Sequence, residues 1–117
     1  MGMKQKIMIV DDAEINRQIL MAILGDKYEY VQAENGCQAV HMLQHDLTID
    51  LILLDINMPE MNGFQMLERM NKFHWIDEIP VIMISSEEKR DIIITRADKN
   101  SWITLPMRDW NFVNFFF

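Results

Sequence analysis

The chain has 117 residues, half of them apolar and a quarter charged, which suits one small domain and is too apolar for a disordered chain. Eighteen acidic and eleven basic residues give a net charge of −7 without any lysine or arginine cluster, so we expect no direct binding to nucleic acid. No apolar stretch approaches the roughly 20 residues of a transmembrane helix, and the single cysteine, Cys37, has no partner for an internal disulfide. We therefore expect one soluble, cytoplasmic domain over residues 1–117, with no membrane partner.

Short runs rich in isoleucine, leucine and valine recur along the chain and predict strands. The runs Ile7–Val10, Leu51–Leu54 and Val81–Ile84 are continuously apolar, which is typical of strands that are covered on both faces. The segment Tyr28–Ala33 alternates only in part and predicts a weaker strand. A short additional strand is predicted at Trp102–Thr104.

Segments with helical spacing separate these strands. In the first, Ile15, Ile19, Ala22 and Ile23 fall at i, i+4, i+7 and i+8 and predict an apolar helix face. The next two segments have similar faces, made of Ala39, Val40 and Leu43 and of Phe64, Leu67 and Met70. Residues typical of helix starts or turns precede the segments, namely Asp12, Asn35 and Asn62-Gly63. With a further helix predicted from about Glu87, the alternation predicts an α/β fold, a parallel sheet with helices on both faces.

The predicted strands end in residues that could form a site, because ligands of open parallel sheets bind at the carboxyl ends of the strands. The first strand is followed by Asp11-Asp12, the third by Asp55 and the fourth by Ser85-Ser86. If these strands are neighbours, three carboxylates and a hydroxyl converge. Close carboxylates repel unless a proton or a hard cation such as Mg²⁺ neutralises them. A carboxylate beside Mg²⁺ and a hydroxyl suits phosphoryl transfer, in which an aspartate can be the nucleophile.

A purely structural interpretation of these acids is also available. Asp11 or Asp12 would cap the first helix, and Asp55 would only end a strand. For any single aspartate that interpretation is the better one. Three acids at the ends of two strands favour a site instead.

The residues around these acids resemble those of a response-regulator receiver domain of bacterial two-component signalling, in the CheY-like superfamily. The resemblance covers roughly residues 5–97 and lies in the segments IMIVDDAEINRQIL, LILLDINMPEMNGFQML and IPVIMISS. The spacing agrees as well, with 43 residues from Asp12 to Asp55 and 30 from Asp55 to Ser85. The resemblance implies a doubly wound, flavodoxin-like sheet of five parallel strands in the order 2-1-3-4-5.

The resemblance also implies specific roles. Asp55 would accept a phosphoryl group from a histidine kinase or a phosphotransfer protein, and Ser85 would hydrogen-bond that group. Mg²⁺ would be held by Asp11, Asp12, Asp55 and the backbone carbonyl of Asn57. The chain would regulate an output and would be no enzyme beyond its own phosphotransfer and dephosphorylation.

The C-terminal part departs from the family pattern. Where receivers have a lysine before a proline, the segment WITLPM has Leu105, and Lys99 lies six residues too early. The last helix is shortened or aberrant and is replaced by Arg108–Phe117, so residues 98–117 are atypical. Two interpretations remain. In the first, the chain is a receiver with an altered switch, and in the extreme case a pseudo-receiver that acts as a protein-interaction module. In the second, its C-terminus is aberrant.

The last six residues, Phe112–Phe117, contain four of the six phenylalanines of the chain. They pack on the sheet as a stunted helix, or they form an exposed patch that pairs with another chain. The absence of a polar face at Phe115–Phe117 favours the second alternative, a homodimer through the C-terminal face.

A third class of function, an enzyme or cofactor protein on a similar fold, has little support. The acids after the first strand would repel the phosphate of a flavin nucleotide. A dehalogenase-type phosphatase needs an acid two residues after its nucleophile, where this chain has Asn57.

Overall fold

A mixed sheet forms the centre of the fold in the computed structural model, which describes residues 4–46, 48–55, 58, 61, 63–72, 79–84, 91–95 and 102–106. The strands are β1 (Gln5–Val10), β2 (Tyr28–Ala33), β3 (Leu51–Asp55), β4 (Val81–Ile84), β5 (Asp91–Thr95) and β6 (Trp102–Pro106). The helices are α1 (Glu14–Leu24), α2 (Gly36–His45) and α3 (Gly63–Lys72). No helix within the described ranges has the length and apolar character needed to cross a membrane.

The first four strands form a parallel sheet in the order β2-β1-β3-β4. This part of the predicted strand order is confirmed, and the strand bounds match the apolar runs to within two residues. The register pairs Val10 with Leu54 and Asp55 with Ile84, so the strands that carry the acids end at one edge of the sheet.

Alternate residues of the central strands enter two separate cores, as expected for strands covered on both faces. On β1, Met8 and Val10 face the core under α2 and α3, whereas Ile7 and Ile9 face the core under α1. All four side chains are fully buried. The predicted inner face of α2 is confirmed, because the following side chains are buried: Ala39, Val40 and Leu43. On α3, Met70 is buried as predicted, while the side chains of Phe64 and Leu67 lie outside the described part of the chain.

The isoleucine spacing predicts the wrong buried face for α1. Ile15, Ile19 and Ile23 are 62%, 47% and 48% exposed, and Ala22 is exposed too. The buried residues are instead Arg17, Leu20 and Leu24, which have the equally helical spacing i, i+3 and i+7. The helix has apolar residues on two sides, and the buried side also has hydrogen-bond acceptors for the Arg17 guanidinium.

This orientation of α1 has a measurable consequence for stability. Leu20→Ala is expected to lower the free energy of unfolding by about 2–5 kcal/mol, because it leaves a cavity in the core. Ile19→Ala removes a half-exposed side chain on the other face and is expected to cost less than about 1 kcal/mol. Urea denaturation of the two variants beside the parent measures both values. A larger loss for Ile19→Ala would show that the isoleucine face is the buried one.

The sheet continues beyond β4 in a way that differs from the prediction. A helix is predicted from about Glu87, but residues Asp91–Thr95 form a strand that pairs with β4 in antiparallel fashion. The predicted last strand is present as β6, yet it is antiparallel to β5 and forms a sixth position at the sheet edge. The physical reason lies in the run Ile92-Ile93-Ile94-Thr95, since consecutive β-branched residues favour a strand over a helix. The segment Phe112–Phe117 lies outside the described residues, and its pairing with another chain stays a prediction.

Candidate functional site

Three aspartates meet at the carboxyl edge of the sheet. Asp11 and Asp12 directly follow β1, and Asp55 is the last residue of the neighbouring strand β3. Carboxylate oxygens of the three lie within 4.8 Å of one another. Asp11 and Asp55 are only 6% and 4% exposed, whereas Asp12 is exposed. The structure thus brings together the three acids singled out in the sequence, while Ser85 and Asn57 lie outside the described residues.

Asp11 forms hydrogen bonds through both its backbone and its side chain. Its N–H donates to the carbonyl of Ala33 on β2 at 3.1 Å, which extends the β1–β2 ladder by one residue. Its carboxylate accepts from the N–H of Ala13 at 2.9 Å. The N-cap of α1 is Ala13 and has no side-chain cap, so the interpretation of Asp12 as a capping residue is not supported. Asn35, by contrast, caps α2 as expected by accepting from the N–H of Gln38 at 2.7 Å.

Burial raises the pKa of the Asp11 carboxyl above its ordinary value of 3.8. The N–H of Ala13 opposes this shift, the negative charge of Asp12 adds to it, and a hydrogen bond from Asn16 lowers it again. Ionised Asp11 is therefore less favourable in the folded chain than in water. A bound cation would remove much of this penalty.

The geometry of the three carboxylates is compatible with a small hard cation. Oxygens about 2.1 Å from Mg²⁺ lie about 3 Å apart when adjacent and about 4.2 Å apart when opposite. The three oxygens lie within 4.8 Å of one another, and Mg²⁺ commonly takes only one or two carboxylates directly while waters complete its shell, so the cluster suits such an ion. An all-oxygen set suits Mg²⁺ better than a thiophilic metal.

Met61, which precedes α3, packs closely on the start of α2. A Cβ added at Gly36 would lie 2.9 Å from Cγ of Met61, which is closer than real side chains approach. Glycine at this position therefore permits the contact between α2 and Met61.

Leu105 does not lie beside the acids. The register links Asp55 to Ile84, Ile84 to Ile92, and Ile92 to Leu105. Leu105 is thus three strands from Asp55, or about 14 Å at the usual spacing between strands. Leu105, which stands where receivers have a lysine before a proline, is therefore not next to Asp55. The physical reason is the insertion of β5 between β4 and β6.

A lysine at position 105 should consequently have little effect on chemistry at Asp55. Leu105→Lys is expected to leave the rate of phosphoryl uptake unchanged within about twofold, because the separation of about 14 Å exceeds the reach of the side chain. Time-resolved mass spectrometry of the parent and the variant with a small acyl phosphate measures this. A severalfold faster uptake would place Leu105 close to Asp55.

Sequence reasoning missed Arg17, whose side chain is buried next to this edge. Arginine is usually a surface residue, and the isoleucine pattern suggested the opposite helix face. The sequence does contain a pattern that indicates this burial, since Arg17 shares one helical face with Leu20 and Leu24.

Comparison with known proteins decides the family. The family model for the response regulator receiver domain matches residues 7–105, most of the chain. The chain belongs to this receiver family. The match extends the resemblance seen in the sequence through β5 and as far as Leu105 in β6.

Individual relatives of this receiver include chemotaxis and two-component proteins. It is 34% identical over 105 residues to the chemotaxis protein CheY1 of Helicobacter pylori, with 86% of this chain and 85% of that protein covered. It is also 34% identical over 82 residues to the two-component response regulator ORR3 of rice (Oryza sativa subsp. indica), with 69% of this chain covered. The receiver spans only 63% of the length of that plant protein.

Solved structures agree with this assignment. A chain of the CheX–CheY–BeF3–Mg²⁺ complex from Borrelia burgdorferi superposes with a TM-score of 0.66 and 32% identity. The alignment covers 75% of this receiver and 66% of that chain. Mg²⁺ is therefore a component of a structure similar to this one.

Proposed function

We propose that this receiver accepts a phosphoryl group on Asp55 from a histidine kinase or a phosphotransfer protein and thereby regulates an output. The observation that carries the proposal is the meeting of three carboxylates within 4.8 Å around the end of β3. Two of them are buried, which is costly for aspartates unless a cation or a proton compensates. In a receiver, such a pocket supports Mg²⁺-dependent chemistry at the aspartate that ends the third strand.

In the proposed reaction, a carboxylate oxygen of Asp55 attacks the phosphorus atom of the donor. The bond between phosphorus and the imidazole nitrogen of the donor histidine breaks, the electron pair leaves with that nitrogen, and an acyl phosphate forms on Asp55. The buried position of Asp55 limits access of competing water. Mg²⁺, when bound, supplies positive charge for the phosphoryl oxygens.

The remaining residues hold the reactants in place. Asp11 and Asp12 provide carboxylate oxygens for Mg²⁺, and the backbone carbonyl of Asn57 completes the protein ligands. Ser85 donates a hydrogen bond to a phosphoryl oxygen. The roles of Asn57 and Ser85 follow from their positions in the receiver motifs, two residues after Asp55 and directly after β4.

The experiment is incubation of the purified chain with a small acyl phosphate, followed by intact mass spectrometry. We expect one phosphoryl group per chain with Mg²⁺ and almost none after chelation with EDTA. Absence of uptake at every Mg²⁺ concentration would contradict the proposal.

The second candidate is a pseudo-receiver that acts as a protein-interaction module. It is favoured by Leu105, which replaces the lysine of the family pattern and lies three strands from Asp55. A pseudo-receiver would keep its fold and bind partners without phosphoryl uptake. The same labelling experiment therefore distinguishes the two candidates.

A further inference from the structure

Arg17 is a buried cation that joins three parts of the fold. Arg17 lies on helix α1 and is only 6% exposed. Its Nη1 donates to the carbonyl oxygen of Asp11 at 2.6 Å, and its Nε donates to Oε1 of Gln32 on β2 at 3.0 Å. A side chain of α1 is therefore anchored at once to the end of β1 and to the neighbouring strand.

These contacts complete the restraint of Asp11. Its N–H is bound to Ala33 and its carboxylate to the N–H of Ala13, so Arg17 holds the one backbone group that these two bonds leave. The carbonyl of Asp11 belongs to the peptide group that leads into Asp12. Rotation of this peptide would move the carboxylates of Asp11 and Asp12 relative to each other.

The contact is made to the backbone of Asp11. Nη1 of Arg17 donates to the carbonyl oxygen of Asp11, whereas the carboxylate of Asp11 accepts from the N–H of Ala13. The guanidinium therefore contributes through geometry, since its two donors have fixed directions in one plane.

We propose that Arg17 is a positioning residue for the acidic pocket, because it fixes the Asp11–Asp12 peptide and so sets the pocket's affinity for a divalent cation. The inference rests on the proposed function only for the identity of that cation. Partners that orient metal ligands commonly change metal affinity by about tenfold or more when they are removed. Arg17 would have this role without touching the cation.

The test uses Arg17→Met, Arg17→Lys and Gln32→Ala. Mg²⁺ affinity is measured from the amide shifts of Asp11 and Asp12, well below the melting temperature of each variant. Arg17→Met is expected to weaken Mg²⁺ binding by roughly tenfold. Arg17→Lys keeps one donor, and Gln32→Ala removes only the exposed anchor, so each should weaken binding by about threefold.

Two controls separate positioning from general destabilisation. Leu24→Ala destabilises the same helix without touching Asp11 and should leave the Mg²⁺ affinity unchanged. Arg69→Met removes an exposed positive charge from α3 and should also leave it unchanged. If Leu24→Ala weakens binding as much as Arg17→Met does, Arg17 has only a structural role.

A second measurement does not depend on Mg²⁺. Hydrogen exchange at the N–H of Ala13 should be about tenfold faster in Arg17→Met, because the loop that holds its acceptor is released. If the parent binds no Mg²⁺ but this exchange accelerates, the proposed cation site fails while the positioning role of Arg17 stands. Unchanged exchange in Arg17→Met would overturn the inference. If the parent binds Mg²⁺, an unchanged Mg²⁺ affinity of Arg17→Met would overturn it too. Should Arg17→Met not fold, Gln32→Ala on the exposed edge gives the same two readouts.

Discussion

Asp55→Asn is expected to abolish phosphoryl uptake from a small acyl phosphate in the presence of Mg²⁺. The amide has nearly the same shape as the carboxylate but no nucleophilic oxygen of comparable strength. Asp55 is buried at the end of β3, next to Asp11 and Asp12, so removal of its charge also relieves repulsion in the metal-free pocket. We therefore expect the variant to fold at least as stably as the parent, and intact mass spectrometry to detect no added phosphoryl group.

The matched control is Asp26→Asn, an aspartate to asparagine change at an exposed residue just before β2. This variant should take up the phosphoryl group as the parent does. Equal labelling of Asp55→Asn and the parent would remove Asp55 from the chemistry. Circular dichroism and urea denaturation of both variants verify that any loss of labelling is not a loss of fold.

Asp11→Asn is expected to have two opposite effects. It removes a carboxylate ligand, so Mg²⁺ affinity should fall by about tenfold or more, and Mg²⁺-dependent phosphoryl uptake should fall with it. It also removes one of the negative charges that lie within 4.8 Å of one another. At an effective dielectric constant of about 20, two unit charges at this distance repel by about 3.5 kcal/mol, of which solvent screens a part at the exposed Asp12, so the metal-free variant should be more stable than the parent at neutral pH.

The pH dependence follows from the raised pKa of Asp11. Its main cause is burial, so the folded state retains the proton at pH values where the unfolded state has already lost it. Stability of the metal-free parent therefore falls as the pH rises from 3.8, the ordinary value, through the raised pKa. Asp11→Asn has no carboxyl at this position and does not lose stability in this way. Its gain in stability over the parent should vanish below pH 3.8, where the Asp11 carboxyl of the parent is protonated in both the folded and the unfolded state. Urea denaturation across this range measures the difference, and a less stable variant at neutral pH would contradict the account.

Much of the fold could be predicted because its strands are continuously apolar. The runs Leu51–Leu54 and Val81–Ile84 have no polar residue to expose, which leaves a strand between two helical layers as the simple solution. The meeting of Asp11, Asp12 and Asp55 then followed from topology, since neighbouring parallel strands end at one edge.

Other features could not be predicted because the sequence allows two solutions. Helix α1 has isoleucines on one side and Leu20 and Leu24 on the other, and hydrogen-bond acceptors for Arg17 lie on the buried side. The helix predicted from about Glu87 followed from the alternating architecture rather than from its residues. The β-branched run that forms β5 overrides this architectural expectation. Leu105 consequently lies one strand further from Asp55 than a five-stranded sheet would place it.

The site of phosphoryl attachment tests the central claim most directly. The labelled chain is digested and the peptides are sequenced by tandem mass spectrometry under conditions that preserve or chemically trap the acyl phosphate. We predict a single modified residue, Asp55, in the peptide that contains LILLDINM, and no modification after chelation of Mg²⁺. A phosphoryl group on Asp11 or Asp12, or an unmodified chain at saturating donor and Mg²⁺, would contradict a receiver that acts through Asp55.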